Sequence, residues 1–233
     1  MKIAALLTGK KNSSFKRKNE MKILNDYIFN YAAKEAKKVK KINFFYTSSD
    51  SEIILNQTKK IGFQPIYRPA ILSKKNSKHI DVIKHALSIF KKDNKFPDII
   101  VVLLANAPVI KSEWITACIN KLIRNKNLSA VVPVLKFNDH HPLRAKKMQG
   151  GILKNFINKK QASTNRQDLP GCFFLCHNFW VIRTDEIFKN NGLSPWTFMG
   201  KKVSGYKIKN SIDVHDPLDL EIAKILVRND KYI

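Results

Sequence analysis

Two stretches carry residue types that could act on a phosphorylated ligand. In the first, the apolar run Ile3 to Leu7 passes directly into Thr8-Gly9-Lys10-Lys11-Asn12-Ser13-Ser14-Phe15-Lys16-Arg17-Lys18-Asn19. A glycine, clustered cations and small polar side chains after a buried-type strand can offer backbone N–H groups and ammonium charge to a polyphosphate. A solvated basic turn would have the same composition, because neither G-x-x-x-x-G-K-[ST] nor G-x-G-x-x-G is present. The second stretch is Asp213, His215, Asp216 and Asp219, an acidic cluster in a chain of net charge +25. Asp216 suits the N-cap of a final helix and Asp219 its first turn. Asp213 and His215, two apart in an extended segment, can point to one side.

The elements that would position these groups follow from periodicity. Met21 to Lys38 has apolar residues at helical spacing, from Ile23 and Leu24 to Tyr31 and Ala32. Ile42 to Thr47 reads as a strand delivering Ser48-Ser49-Asp50 at its carboxyl end, and Ser51 to Gly62 as a helix closing on glycine. Phe63 to Tyr67 predicts an edge strand that Arg68-Pro69 leaves for a loop, and His79 to Lys91 a helix. Ile99 to Leu104 is a continuous apolar run, as in a strand covered on both faces, and Ala105-Asn106-Ala107-Pro108 ends it. A helix from Ser112 to about Arg124 and a strand from Ala130 to Leu135 continue the alternation, which predicts parallel β-α-β units. From about residue 136 to 172 the pattern loosens into an excursion. Strand character returns at Phe173-Phe174-Leu175, Phe179 to Ile182 and Gly205 to Ile208, before a last helix from Pro217 to Val227.

A chain of 233 residues with 44% hydrophobic residues can bury one substantial α/β core, so we expect a single domain over residues 1–233. Its lysines are spread along the whole length beside abundant Asn and Ile, without the aromatic interleaving of a base-stacking surface, so dedicated nucleic-acid binding is not expected. Cys118, Cys172 and Cys176 are too few for a disulfide framework and fit a reducing compartment. No stretch is long enough to span a bilayer, and a cytoplasmic protein is expected. His140-His141 and the Cys172, Cys176, His177 group lack the surrounding ligands of a metal site and read as packing.

Taken in order, these segments resemble the acylneuraminate (CMP-sialic acid synthetase-like) cytidylyltransferases over nearly the entire chain. The resemblance rests on the basic loop closing on Lys18-Asn19, on Ser48-Ser49-Asp50, Arg68-Pro69-Ala70 and His140-His141-Pro142-Leu143, then on Arg166-Gln167-Asp168-Leu169-Pro170 and Ser211-Ile212-Asp213-Val214-His215. It implies an α/β fold, with a mostly parallel Rossmann-like nucleotidyltransferase sheet, helices on both faces and a small dimerisation excursion at about 136–172. It implies transfer of CMP from CTP to an acidic nine-carbon sugar with release of pyrophosphate, by a Mg²⁺-dependent (Mn²⁺ possible) homodimer. Lys18 would meet the triphosphate, and Asn19, Arg68, Ser49, Asp50 and Asn106 would hold substrates. Arg166 and Gln167 would act from the excursion at a neighbour's site or merely hold the dimer, and Asp213, with His215, would hold the metal. The chain departs from the family's pattern at Gly9 and Ser13, where the family usually has Arg and Lys. It departs again at His215, which replaces a second aspartate, and at Cys176-His177, which replaces Asn-Gly. A non-catalytic nucleotide- or sugar-binding relative is the alternative.

Overall fold

The structure, a computed structural model, describes residues 1–11, 17–158 and 164–229. Its strands are β1 (Ile3–Thr8), β2 (Lys22–Ile23), β3 (Asp26–Tyr27), β4 (Phe44–Ser49), β5 (Gln64–Tyr67) and β6 (Ile99–Leu104), then β7 (Ala130–Lys136), β8 (Lys146–Gln149), β9 (Ile152–Asn155), β10 (Phe173–Leu175), β11 (Phe179–Arg183) and β12 (Val203–Lys207). Its helices are α1 (Ile28–Lys37), α2 (Glu52–Ile61), α3 (His79–Lys92), α4 (Ser112–Arg124), α5 (Thr184–Lys189) and α6 (Pro217–Arg228).

Eight strands form one mixed, mostly parallel sheet. β1 lies between β4 and β6, parallel to both, and β5 continues the parallel set beyond β4 as an edge strand. β11 runs antiparallel to β6 and β7, while β12 pairs in parallel with β7. The period of two along each strand divides the core into two layers. Ile3, Ala5 and Leu7, with Ile99, Val101 and Leu103, pack against α1, α4 and α6. Ala4 and Leu6, with Ile100 and Val102, pack against α3, where Ile83, Leu87 and Phe90 are fully buried. That two-sided cover is why β6 is apolar at every position.

Local chemistry sets several boundaries as expected. Ser51 caps α2, its Oγ accepting from Ile54 N, and Gly62 ends the helix at φ 97°, in the left-handed region where a Cβ is unwelcome. Asp216 caps α6 by accepting from Asp219 N. The expected helix from Met21 begins instead at Ile28. Leu24, at φ 55°, turns the chain so that β2 and β3 pair antiparallel, and Ile23 is buried from that ribbon rather than from a helix. The spacing of apolar residues suits both arrangements.

The chain leaves the sheet after Lys136 and returns at Phe173, which pairs with Lys136 itself. Between them β8 and β9 form an antiparallel ribbon whose residues are all exposed, with Met148, Ile152 and Leu153 each more than 60% accessible. Among the described residues no helix is long and apolar enough to cross a membrane.

Candidate functional site

The sheet order places the carboxyl ends of β1, β4 and β6 side by side, and the chain leaves all three strands there for loops. An open cleft of about 840 Å³ lies at that edge, lined among others by Thr8, Lys18, Asn19, Arg68, Asn106 and His215. Residues from five separate segments thus meet at the crevice where ligands of open α/β sheets usually bind.

The loop after β1 is tied down on both sides. Gly9 N donates to Ser48 O (3.3 Å) and Lys11 N donates to Asp50 Oδ1 (2.8 Å), so the Ser48-Ser49-Asp50 corner shapes the loop. Ser49 Oγ accepts from Ser51 N at 3.0 Å, and Ser49 and Asp50 line a smaller adjoining hollow of about 360 Å³ that shares Arg68 with the cleft. A Cβ on Gly9 would stand 2.7 Å from Ala105 Cβ and 3.1 Å from Ile54 Cδ1. The backbone approaches β6 and α2 so closely that only glycine fits, which explains the departure at this position. Ser13 and Lys16 lie outside the described residues.

At the loop's far end, Arg17 takes a left-handed conformation (φ 56°) and pairs with Glu20 at 2.8 Å, while Ser51 Oγ donates to Glu20 Oε1 at 2.6 Å. This clamp presents Lys18 and Asn19, both only 6% exposed, to the cleft. Burial pushes the Lys18 ammonium below its ordinary pKa, and Asp213 and Asp219 pull it partly back. Asn19 Nδ2 donates to Lys10 O (2.8 Å), but its buried Oδ1 has no partner among the described residues. An orphaned buried acceptor is costly in a folded protein and is what a ligand's donor would satisfy.

Arg68 is buried against the end of β4: Nη2 donates to Ser48 O at 2.7 Å and Nε to Ser48 Oγ at 3.3 Å. Desolvation lowers its pKa to about 10, with Asp50 opposing, so it stays cationic at neutral pH. Across the cleft, Asn106 Nδ2 donates to Asp213 Oδ1 and, at 3.3 Å, to Val214 O. His215 Nε2 lies 3.3 Å from Asp213 Oδ2. The two side chains meet as expected, although residues 210–215 lie outside any strand. Burial raises the Asp213 pKa, against the opposing pull of His215, His177 and Lys18.

For a metal, the donors are few. Among the described residues no group of three or more His, Cys, Asp and Glu is placed to hold an ion. Asp213 fits an ion carried chiefly by ligand phosphates and completed by one carboxylate, the usual Mg²⁺ arrangement. His215 fits less well, since its Nε2 faces the Asp213 carboxylate and serves that group as a neighbour.

Arg166 and Gln167 are not brought to this cleft. They lie exposed on a short turn of the excursion, where Arg166 pairs with Asp139 at 3.0 Å. His141 is packed, its Nδ1 accepting from Leu143 N, and the three cysteines are free. Sequence reasoning missed His79 and undervalued His177. His79 lines the cleft, 3.0 Å through Nε2 from Thr8 Oγ1, and His177 stands close enough to Asp213 for each to affect the other's ionisation. A histidine at the first position of a helix gives no local signal of this kind.

No family model and no curated protein matches the chain. Solved structures do. The fold is similar to that of CMP:2-keto-3-deoxy-manno-octonic acid synthetase complexed with CTP (TM-score 0.72, 13% identity, covering 99% of this chain and 100% of that one). It is also similar to 4-diphosphocytidyl-2C-methyl-D-erythritol synthase (TM-score 0.66, 9% identity, 97% and 100% covered). The synthase from Anaerococcus prevotii gives a TM-score of 0.63 at 12% identity, with 98% and 96% covered. At these identities the likeness establishes the fold: an α/β nucleotidyltransferase-like sheet with helices on both faces.

Proposed function

We propose that the protein is a cytidylyltransferase that transfers CMP from CTP to an acidic nine-carbon sugar of the sialic-acid type and releases pyrophosphate. The carrying observation is the convergence of Lys18, Asn19, Arg68, Asn106, Asp213 and His215 at the carboxyl ends of β1, β4 and β6. The ordered motifs add support, as does a shared fold with a CMP-sugar-acid synthetase and two diphosphocytidyl-methylerythritol synthases.

In this reading the triphosphate lies beside Gly9, Lys10 and Lys18, and the nucleoside enters the cleft toward Arg68 and Asn19. The sugar hydroxyl oxygen bonds the α-phosphorus, the bond to the bridging oxygen breaks, pyrophosphate leaves with that electron pair, and the hydroxyl proton passes to solvent. Such transfers ask the protein mainly for positioning and for positive charge where negative charge develops. Lys18, partly stripped of water, supplies that charge with little reorganisation. Asp213 holds Mg²⁺ (or Mn²⁺), which when bound neutralises phosphate charge. Asn106 orients the Asp213 carboxylate from the end of β6.

The protein acts as a homodimer in a reducing, cytoplasmic compartment, a reading supported by three free cysteines and by Met148, Ile152 and Leu153 exposed on the ribbon β8–β9. Arg166 and Gln167 then serve the partner's site. The test is pyrophosphate release from CTP across a panel of eight- and nine-carbon sugar acids with Mg²⁺ or Mn²⁺. Turnover with a nine-carbon acid is expected, and CTP binding without turnover on any sugar would leave only the non-catalytic relative.

A further inference from the structure

The first residue of α3, His79, stands in the wall of the cleft with no part in the chemistry described so far. Its ring is fixed from two sides. Nε2 lies 3.0 Å from Thr8 Oγ1, and the ring centroid is 5.3 Å from that of Trp180, whose indole is itself held by donation to Cys176 O at 3.1 Å. Thr8 has a single hydroxyl proton, and Leu103 O accepts it at 3.3 Å. With that proton on Leu103 O the Thr8 oxygen is left to accept, and His79 Nε2 is the donor in this arrangement. In a neutral ring this makes Nδ1 the lone-pair acceptor. Neutrality is secured by burial and by Arg68 and His177, which lower the His79 pKa to about 4. No hydrogen bond to Nδ1 is seen among the described residues, and His79 itself lines the cleft.

We propose that His79 selects the nucleobase in this cleft: its Nδ1 accepts a hydrogen bond from the exocyclic amino group of cytosine and opposes the carbonyl that uracil carries at the same place. The inference rests on the reading that the cleft binds a pyrimidine nucleoside triphosphate, and it names the residue that chooses between them. In this proposal the chain Leu103 O, Thr8 hydroxyl, His79 Nε2–H holds the tautomer, so the acceptor is preorganised before the nucleotide arrives. A site built around such a hydrogen bond rejects the wrong partner because a lone pair is left facing another lone pair.

Two substitutions separate the ring's two nitrogens. His79→Asn places a carbonyl oxygen near the Nδ1 position, whereas His79→Gln reaches the Nε2 position and donates to Thr8 without supplying that acceptor. CTP and UTP binding would be measured by titration calorimetry on wild type and both variants, each first shown to be folded by circular dichroism. Wild type is expected to prefer CTP by at least about tenfold, the size of one hydrogen bond gained or lost. His79→Asn should keep that preference, and His79→Gln should bring the two nucleotides within about threefold. A CTP preference retained in His79→Gln, or lost in His79→Asn, or absent from wild type, overturns the assignment while leaving the nucleotide site intact. Failure of wild type to bind either triphosphate overturns the nucleotide reading and this inference with it.

Discussion

Replacing Lys18 with Met removes one buried charge while keeping most of the apolar stem, and binding and stability should then move in opposite directions. Two unit charges 4 Å apart at an effective dielectric near 20 attract by about 4 kcal/mol, part of which desolvation of the phosphate offsets. A charge-assisted hydrogen bond has a net value of about 1.5–3 kcal/mol, so CTP should bind roughly ten- to a hundredfold more weakly. Stability should behave otherwise. Lys18 is 6% exposed and its pKa is lowered chiefly by burial, so the folded state disfavours the ammonium. For a base whose folded pKa lies below its unfolded value, that cost is fully present below the folded pKa and fades as pH climbs from there toward 10.5. Lys18→Met should therefore leave the melting temperature unchanged or raise it. The Arg17–Glu20–Ser51 clamp, which does not use the Lys18 side chain, should keep the loop end in place. Titration calorimetry with CTP and differential scanning calorimetry read the two effects. A CTP Kd within twofold of wild type would refute the argument, as would a clear drop in melting temperature.

Asp213→Asn keeps an acceptor for Asn106 and removes a carboxylate whose pKa burial has already raised, so turnover should fall by at least about a hundredfold with little change in melting temperature; near-normal pyrophosphate release would remove its role. Gly9→Ala drives a methyl group to within 2.7 Å of Ala105 Cβ, and urea denaturation should show a loss of about 1–3 kcal/mol, recovered in part by adding Ala105→Gly. The folded pKa of His79, about 4 against an ordinary 6.5, means that the unfolded chain binds more protons below 6.5. Stability should accordingly fall as pH drops from 6.5 toward 4, with a shallower fall in His79→Asn; equal slopes in the two proteins would count against a buried neutral imidazole.

The departures from the resembled family have unequal explanations. Gly9 follows from backbone approach: no side chain fits between the loop, Ala105 and Ile54. His215 acts as a neighbour to Asp213 rather than as a duplicate carboxylate. His177, where the resembled family has a glycine, joins Trp180 and Trp196 in an aromatic cluster at ring distances of 5.7 and 5.3 Å, an environment that lowers its pKa by desolvation first.

The sequence by itself determined what is local. Alternation of strand and helix, the apolar run of β6, the Ser51 and Gly62 caps of α2 and the Asp216 cap of α6 all follow from periodicity and from backbone groups seeking nearby partners. Even there, the apolar spacing around Ile23 served a small ribbon as well as it would have served a helix. Lys18-Asn19, Arg68, Asn106 and Asp213 were legible as candidates, but nothing local joined them into one place. Only the tertiary structure did so, by setting β1 between β4 and β6 and turning their carboxyl ends to one edge. It also decided that Lys18 is buried, that Asn19 carries an orphaned oxygen, that Arg166 and Gln167 lie elsewhere, and that His79 meets Thr8. Burial, ionisation and hydrogen-bond partnership depend on neighbours distant in sequence, and strand order is what chooses those neighbours.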